Sequence, residues 1–233
     1  TKNKTHRPSL HYKNKSRNKK VGYQSIEEII PKSKIESNNR NEILYQWKDD
    51  EVLLERNKFI GAQYNSFLEE PTVENLVKTV MANYILEGIY FYSGFMFFYN
   101  LERNGKMPGS AQEIRYINRD ENTHLWLFRS IIRELMKEEA EVFTEELKEE
   151  LRQMMKIGVE NEINWGKYVI GDKIQGINSN LIESYIKYLG NRRLKEIGFE
   201  AIFEGYDENP AKWVDILADA NSVKTDFFEA KST

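Results

Sequence analysis

Glu121 and His124 stand three residues apart in IRYINRDENTHLWLF (114–128), a segment whose apolar residues recur at helical spacing. Residues with this separation lie on one face of a helix, so the carboxylate and the imidazole can bind one metal ion together. A core histidine that is hydrogen-bonded to its acidic neighbour explains the same pair. Taken alone, Glu-x-x-His therefore favours the structural explanation over a metal site.

Glu87 is the only acidic residue in the apolar stretch MANYILEGIYFYSGFMFFYNL (81–101). An unpaired carboxylate buried in such a helix costs several kcal/mol, so it must be paired, protonated or bound to a cation. Two helices that pack antiparallel would bring Glu87 to Glu121 and His124 at a common metal ion. Helical bundles with two-metal centres use this combination, a Glu from one helix and Glu-x-x-His from its neighbour. Together the three residues predict a metal site.

The stretch 81–101 is also long enough to span a membrane, and it contains no Lys or Arg. Glu87 and Asn83 lie inside it, however, and the rest of the chain is very polar. A helix buried on all sides of a bundle explains these features better than a membrane span.

Residues that start and end helices recur along the chain, and no segment has the alternating apolar pattern of a β-strand. The predicted elements are a helix over 42–68, a long helix over 72–104, a helix opened by a capping box at 110–113, a helix that begins at Thr144, one capped by Asn180 and ended by Gly198, and a short helix around Trp213. Long helices with short connections predict an all-α bundle.

Composition narrows the chemistry further. The 233 residues include no cysteine, which excludes disulfides, thiolate metal sites and cysteine nucleophiles. The net charge of −3 argues against a nucleic-acid partner, although residues 1–20 carry eight Lys or Arg and no acid. We expect this basic segment to be irregular and residues 21–233 to form one domain. The start of the chain has no apolar signal sequence, so a cytoplasmic location is expected.

Several motifs together make the sequence recognisable. ILEGIYFYSGF (85–95) and IRYINRDENTHL (114–125) are followed in order by INSNLIESYIKYLGNRRLKEIG (177–198), NPAKWVD (209–215) and KTDFFEAKST (224–233). In this order and spacing, the motifs resemble the small, radical-generating beta subunit of class I ribonucleotide reductases. The resemblance covers at least residues 40–233 and implies a ferritin-like helical bundle.

The resemblance implies roles for particular residues. Glu87, Glu121 and His124 would be three of six protein ligands to a pair of metal ions, and Asp120 would belong to the radical-transfer route by bonding a ligand histidine from the other half-site. Three apolar side chains would line a dry pocket beside the stored radical: Phe91, Phe95 and Ile117.

The resemblance also implies a reaction and its partners. A di-iron centre, for which a manganese or mixed manganese–iron pair is an alternative, would activate oxygen and generate a tyrosyl radical. A large catalytic subunit would use that radical to reduce ribonucleoside diphosphates to deoxyribonucleotides. The beta subunit is expected to be a homodimer, with neither a nucleic acid nor a membrane as partner.

The first half of the metal site departs from the family pattern. VGYQSIEEII (21–30) resembles the segment that carries the radical tyrosine and puts Tyr23 at its position, but Lys19 and Ser16 stand where the ligand histidine and glutamate belong. A companion chain that supplies the missing Asp and Glu-x-x-His, or a fragmentary sequence, is favoured over outright loss of the half-site. A non-catalytic ferritin-like scaffold and another di-metal oxidase remain the alternative functions.

Overall fold

The computed structural model describes residue 45 and residues 48–219. Within 48–219 there are seven α-helices and no strand, which confirms the predicted all-α fold. The helices are α1 (Glu51–Glu69), α2 (Val73–Gly88), α3 (Tyr92–Arg103), α4 (Pro108–Glu138), α5 (Glu145–Val169), α6 (Ser179–Glu196) and α7 (Lys212–Ala218). The chain divides into two compact units between Lys48 and Asp49, and all seven helices belong to the second. The predicted domain boundary after residue 20 lies outside the described residues.

Side-chain caps define where several helices begin. The hydroxyls of Thr72 and Thr144 accept hydrogen bonds from the backbone N–H three residues on, as predicted. Helix α6 is capped by Asn178 rather than by Asn180, because the Asn178 side chain accepts from the N–H of Leu181.

The predicted capping box at residues 110–113 is wrong. Helix α4 already begins at Pro108, after Met107 in the left-handed conformation (φ 50°). Proline has a fixed φ suited to the first helical position and no N–H that needs a cap, so the helix starts before Ser110.

The predicted single helix over 72–104 is also wrong, because it is interrupted between α2 and α3. We call residues Ile89–Phe91 the helix break. There the N–H of Tyr90 is shared between the carbonyl oxygens of Ile85 (3.3 Å) and Leu86 (3.2 Å), so one hydrogen bond has the wider spacing of a π-turn. The predicted stop after this segment is confirmed, since Gly105 follows α3 with a φ of 71°.

Helix α2 lies at the centre of the described bundle, packed against α1, α4 and α5. Val77, Met81, Tyr84 and Ile85 on α2 are fully buried, in agreement with the prediction of a buried central helix. None of the helices within 48–219 has the length and apolar character needed to cross a membrane.

Candidate metal centre

The structure brings Glu87, Glu121 and His124 together. One carboxylate oxygen from each Glu and one imidazole nitrogen all lie within 4.8 Å of one another. The Nδ1 atom of His124 is 2.8 Å from Oε2 of Glu121 and 3.7 Å from Oε2 of Glu87. In the part of the chain that the structure describes, this is the one group of three or more acidic or histidine side chains arranged closely enough to hold a cation.

Close packing of α2 against α4 creates this cluster. Glu87 precedes Gly88, the last residue of α2, while His124 precedes Leu125 on α4. A Cβ atom on Gly88 would lie only 2.8 Å from Cδ2 of Leu125, closer than real Cβ contacts allow. The glycine therefore allows the two helices to approach at the level where the three polar side chains meet.

The electrostatics of the cluster favour an added positive charge. Burial, together with the hydrogen bond and the charge of nearby Glu121, raises the pKa of Glu87 to about 7, although His124 opposes the rise. The hydrogen bond to Glu121 raises the pKa of His124. Two carboxylates and an imidazole are held so close that they compete for protons, and a divalent cation would take the place of those protons.

The exposure of the three side chains is uneven. Those of Glu87 and Glu121 are 18% and 13% exposed, whereas that of His124 is 50% exposed. The two carboxylates are therefore largely shielded from solvent, whereas the imidazole is half exposed. We call the side of α4 on which His124 is exposed the open face. Two carboxylates and one imidazole fit Mn²⁺ or Fe²⁺, and three ligands leave coordination positions on the open side.

The residues predicted to line a radical pocket are only partly assembled within the described chain. The Phe91 and Phe95 rings lie with their centroids 6.1 Å apart, and Phe95 is buried. Ile117 lies one turn before Glu121 on α4 and is 44% exposed. Phe91 and Phe95 therefore lie near each other at the start of α3, whereas Ile117 is on the exposed side of α4.

The remaining predicted residues lie at the surface or outside the described range. Asp120 is exposed, and its Oδ1 atom is 3.2 Å from Nη2 of Arg119. Tyr23, the basic segment 1–20 and the motif at 224–233 all lie outside the described residues.

The sequence analysis did not predict a buried ion pair that joins α1 and α5. Nη2 of Arg56 on α1 lies 2.6 Å from Oε2 of Glu162 on α5, and the Glu162 side chain is fully buried. The sequence does contain a signal for it, because Glu162 sits among Val159, Ile163 and Gly166 on the buried face of α5. This is the same anomaly, an acid on an apolar helix face, that identified Glu87.

The fold and the cluster define a class of protein: a helical bundle of the ferritin-like kind, in which carboxylates and histidines from facing helices form the metal sites. The comparisons with known proteins specify the family. The chain belongs to the family described as "Ribonucleotide reductase, small chain", whose model matches residues 21–210.

Individual relatives agree with this assignment. The chain is similar to the ribonucleoside-diphosphate reductase subunit beta of Treponema pallidum, with 63% identity over 196 residues, covering 83% of this chain and 56% of the relative. The corresponding subunit of Halalkalibacterium halodurans is 42% identical over 207 residues, covering 89% of this chain and 59% of the relative. The solved R2 subunit from Clostridium botulinum matches with a TM-score of 0.75 and 53% identity, covering 79% of this chain and 58% of that structure. The chain thus spans a little more than half the length of these relatives.

Proposed function

We propose that this chain provides half of the di-metal centre of a class I ribonucleoside-diphosphate reductase beta subunit, with Glu87, Glu121 and His124 as ligands. A pair of iron or manganese ions bound there would activate oxygen, which would oxidise a nearby tyrosine to a radical. The chain's own residues hold the metal in place, neutralise its charge and limit the access of water. A large catalytic subunit uses the radical to reduce the nucleotide.

The observation that carries this proposal is the convergence of the three side chains from two helices. Each carboxylate is more than four-fifths buried, so its charge is costly unless something neutralises it. Among residues 48–219, His124 is the only positive partner of this pair, and it is charged only when protonated. A divalent cation neutralises both carboxylates and uses the imidazole as a neutral ligand.

The open face of α4 supports a second part of the proposal. Ile117 and Leu127, which are 44% and 46% exposed, lie within about 60° of His124 around the helix that carries Glu121 and His124. Large apolar side chains around a half-open polar site are typical of a surface that another segment covers. We propose that this covering segment carries an Asp and a Glu-x-x-His, which complete the six ligands, and that it belongs to a companion, either a separate chain or another part of a longer beta subunit.

The other roles rest on family membership. We propose that Phe91, Phe95 and Ile117 form the dry pocket beside the radical once the open face is covered, and that Asp120 takes part in radical transfer. Tyr23 is the proposed radical residue. The complete beta subunit is expected to act as a homodimer.

Metal binding by the full chain tests the proposal. We expect the 233-residue chain to bind one Mn²⁺ ion, measured by electron paramagnetic resonance (EPR) of the free ion. Glu121→Gln should weaken this binding at least about tenfold. Glu134→Gln is the matched control, because Glu134 is exposed on the same helix and paired only with Lys137. Unchanged affinity in Glu121→Gln would refute the ligand assignment.

A second measurement addresses the companion. A polypeptide that carries the missing Asp and Glu-x-x-His should raise the stoichiometry from one ion to two per chain, and a tyrosyl radical should form only in the mixture. If the chain alone bound two iron ions and gave a tyrosyl radical signal, the companion would be unnecessary and this part of the proposal would be wrong.

A further inference from the structure

The helix break leaves backbone groups without helical partners, and buried side chains from other helices bind them. Nη2 of Arg56 donates to the carbonyl oxygen of Tyr90 and also to Oε2 of Glu162, at 2.6 Å in the latter case. Oε1 of Glu162 in turn accepts from the backbone N–H of Ser93 (3.1 Å) and from the Ser93 hydroxyl. We call Arg56 and Glu162 the buried clamp.

The clamp satisfies these backbone groups at the cost of burying two charged side chains. Glu162 is fully buried and Arg56 nearly so, and burial raises the pKa of Glu162 to about 7 against the opposing charge of Arg56. Apolar residues of similar volume often stabilise a protein as well as a buried ion pair does, or better. A gain in stability therefore does not explain why this pair is buried. Its hydrogen bonds to the backbone at Tyr90 and Ser93 do explain it, because they fix the geometry of the helix break.

Glu87 lies directly next to the clamped segment. It occupies the last turn of α2, two residues before Ile89, where the helix break begins. The break is tied to this last turn, because the N–H of Tyr90 donates to the carbonyl oxygens of Ile85 and Leu86. Successive residues of a helix are rotated by about 100°, so the winding of this turn decides the direction of the Glu87 side chain. The clamp binds the backbone within the break, at Tyr90, and directly after it, at Ser93 in the first turn of α3.

We infer that Arg56 and Glu162 are positioning residues, which hold the helix break in the winding that directs Glu87 at Glu121 and His124. This inference rests on the proposed function, because it gives the clamp the task of orienting a metal ligand. It adds two residues from α1 and α5, neither of which contacts the three ligands directly in the structure.

The test is Mn²⁺ binding by the full-length double variant Arg56→Met/Glu162→Gln. The glutamine can still accept from Ser93, so the variant mainly removes the charges and the bond to Tyr90. We expect affinity for Mn²⁺ to fall about tenfold, as when supporting partners of metal ligands are removed, and the EPR spectrum of bound Mn²⁺ to change. Hydrogen exchange at residues 89–93 should quicken. The matched control is Glu102→Gln, which neutralises a carboxylate paired with the buried Arg115 but does not touch the break.

The outcomes separate the inference from the proposed function. Loss of Mn²⁺ binding in Glu87→Gln together with unchanged affinity and spectrum in the double variant overturns the inference alone. Wild-type binding in Glu87→Gln refutes the ligand role of Glu87 and the inference with it. If the double variant does not fold, Ser93→Ala removes a single hydrogen bond of the clamp and should weaken binding about threefold. An unchanged affinity in that variant would also overturn the inference.

Discussion

Replacing Glu87 by Gln should stabilise the metal-free protein at alkaline pH while it destroys the metal site. The pKa of Glu87 is raised from 4.5 to about 7, so the folded protein holds this proton more tightly than the unfolded chain does. The associated stability is fully present below pH 4.5 and is lost as the pH rises through about 7. A tenfold change in proton affinity corresponds to about 1.4 kcal/mol, so the loss reaches about 3 kcal/mol at pH 8 as an upper limit.

Urea denaturation in the presence of a chelator, at pH 5 and pH 8, measures this effect. The free energies of unfolding of the two proteins should be similar at pH 5, and Glu87→Gln should be the more stable by up to about 3 kcal/mol at pH 8. Because the pKa of Glu162 is also raised to about 7, only the difference between the proteins isolates Glu87. Equal differences at both pH values would refute the electrostatic reasoning.

Added Mn²⁺ should reverse the order at pH 8. A ligand at a concentration one thousand times its Kd stabilises the folded state by about 4.1 kcal/mol, which exceeds the deficit of about 3 kcal/mol, and only the wild-type protein should gain this. If Glu87→Gln were more stable and still gained as much from Mn²⁺ as the wild type, the buried carboxylate would serve no metal, and the non-catalytic scaffold would be the better account.

Three further changes probe the surroundings of the site. Gly88→Ala forces a Cβ atom against Leu125 and should destabilise the protein by about 1–3 kcal/mol in urea denaturation while weakening Mn²⁺ binding; unaltered values would show that the helices need not approach so closely. Asn178→Ala removes the cap of α6 and should cost about 1 kcal/mol without altering Mn²⁺ affinity. Leu127→Ala, next to His124 around α4, should change stability by less than about 0.5 kcal/mol but weaken the binding of the companion, as titration calorimetry would measure; a large loss of stability would contradict its placement on a free surface.

Much of the candidate site followed from one sequence feature, a charged residue where the helical pattern demands an apolar one. That feature identified Glu87, and the i, i+3 spacing identified Glu121 and His124 as its partners on a single face. The caps at Thr72 and Thr144 were equally local and therefore equally visible.

The helix break was not predictable in this way, because its causes lie far away in the sequence. Residues 89–91 contain no proline and no glycine, the two residues that interrupt helices most strongly, so nothing within the segment predicts an interruption. The interruption is maintained by Arg56 and Glu162, which reach the backbone from α1 and α5. Local pattern therefore predicted which residues form the candidate metal cluster, whereas the helix break next to Glu87 depends on tertiary contacts.

We expect a cation to bind between Glu87 of α2 and the Glu121–His124 pair of α4. Anomalous diffraction from a crystal of the full chain soaked in Mn²⁺ tests it most directly. A single anomalous peak within coordination distance of an oxygen of each glutamate and of a ring nitrogen of His124 is the predicted result. Density in which these three side chains point apart, with no peak between them at saturating Mn²⁺, would contradict the claim even though the helical bundle itself would stand.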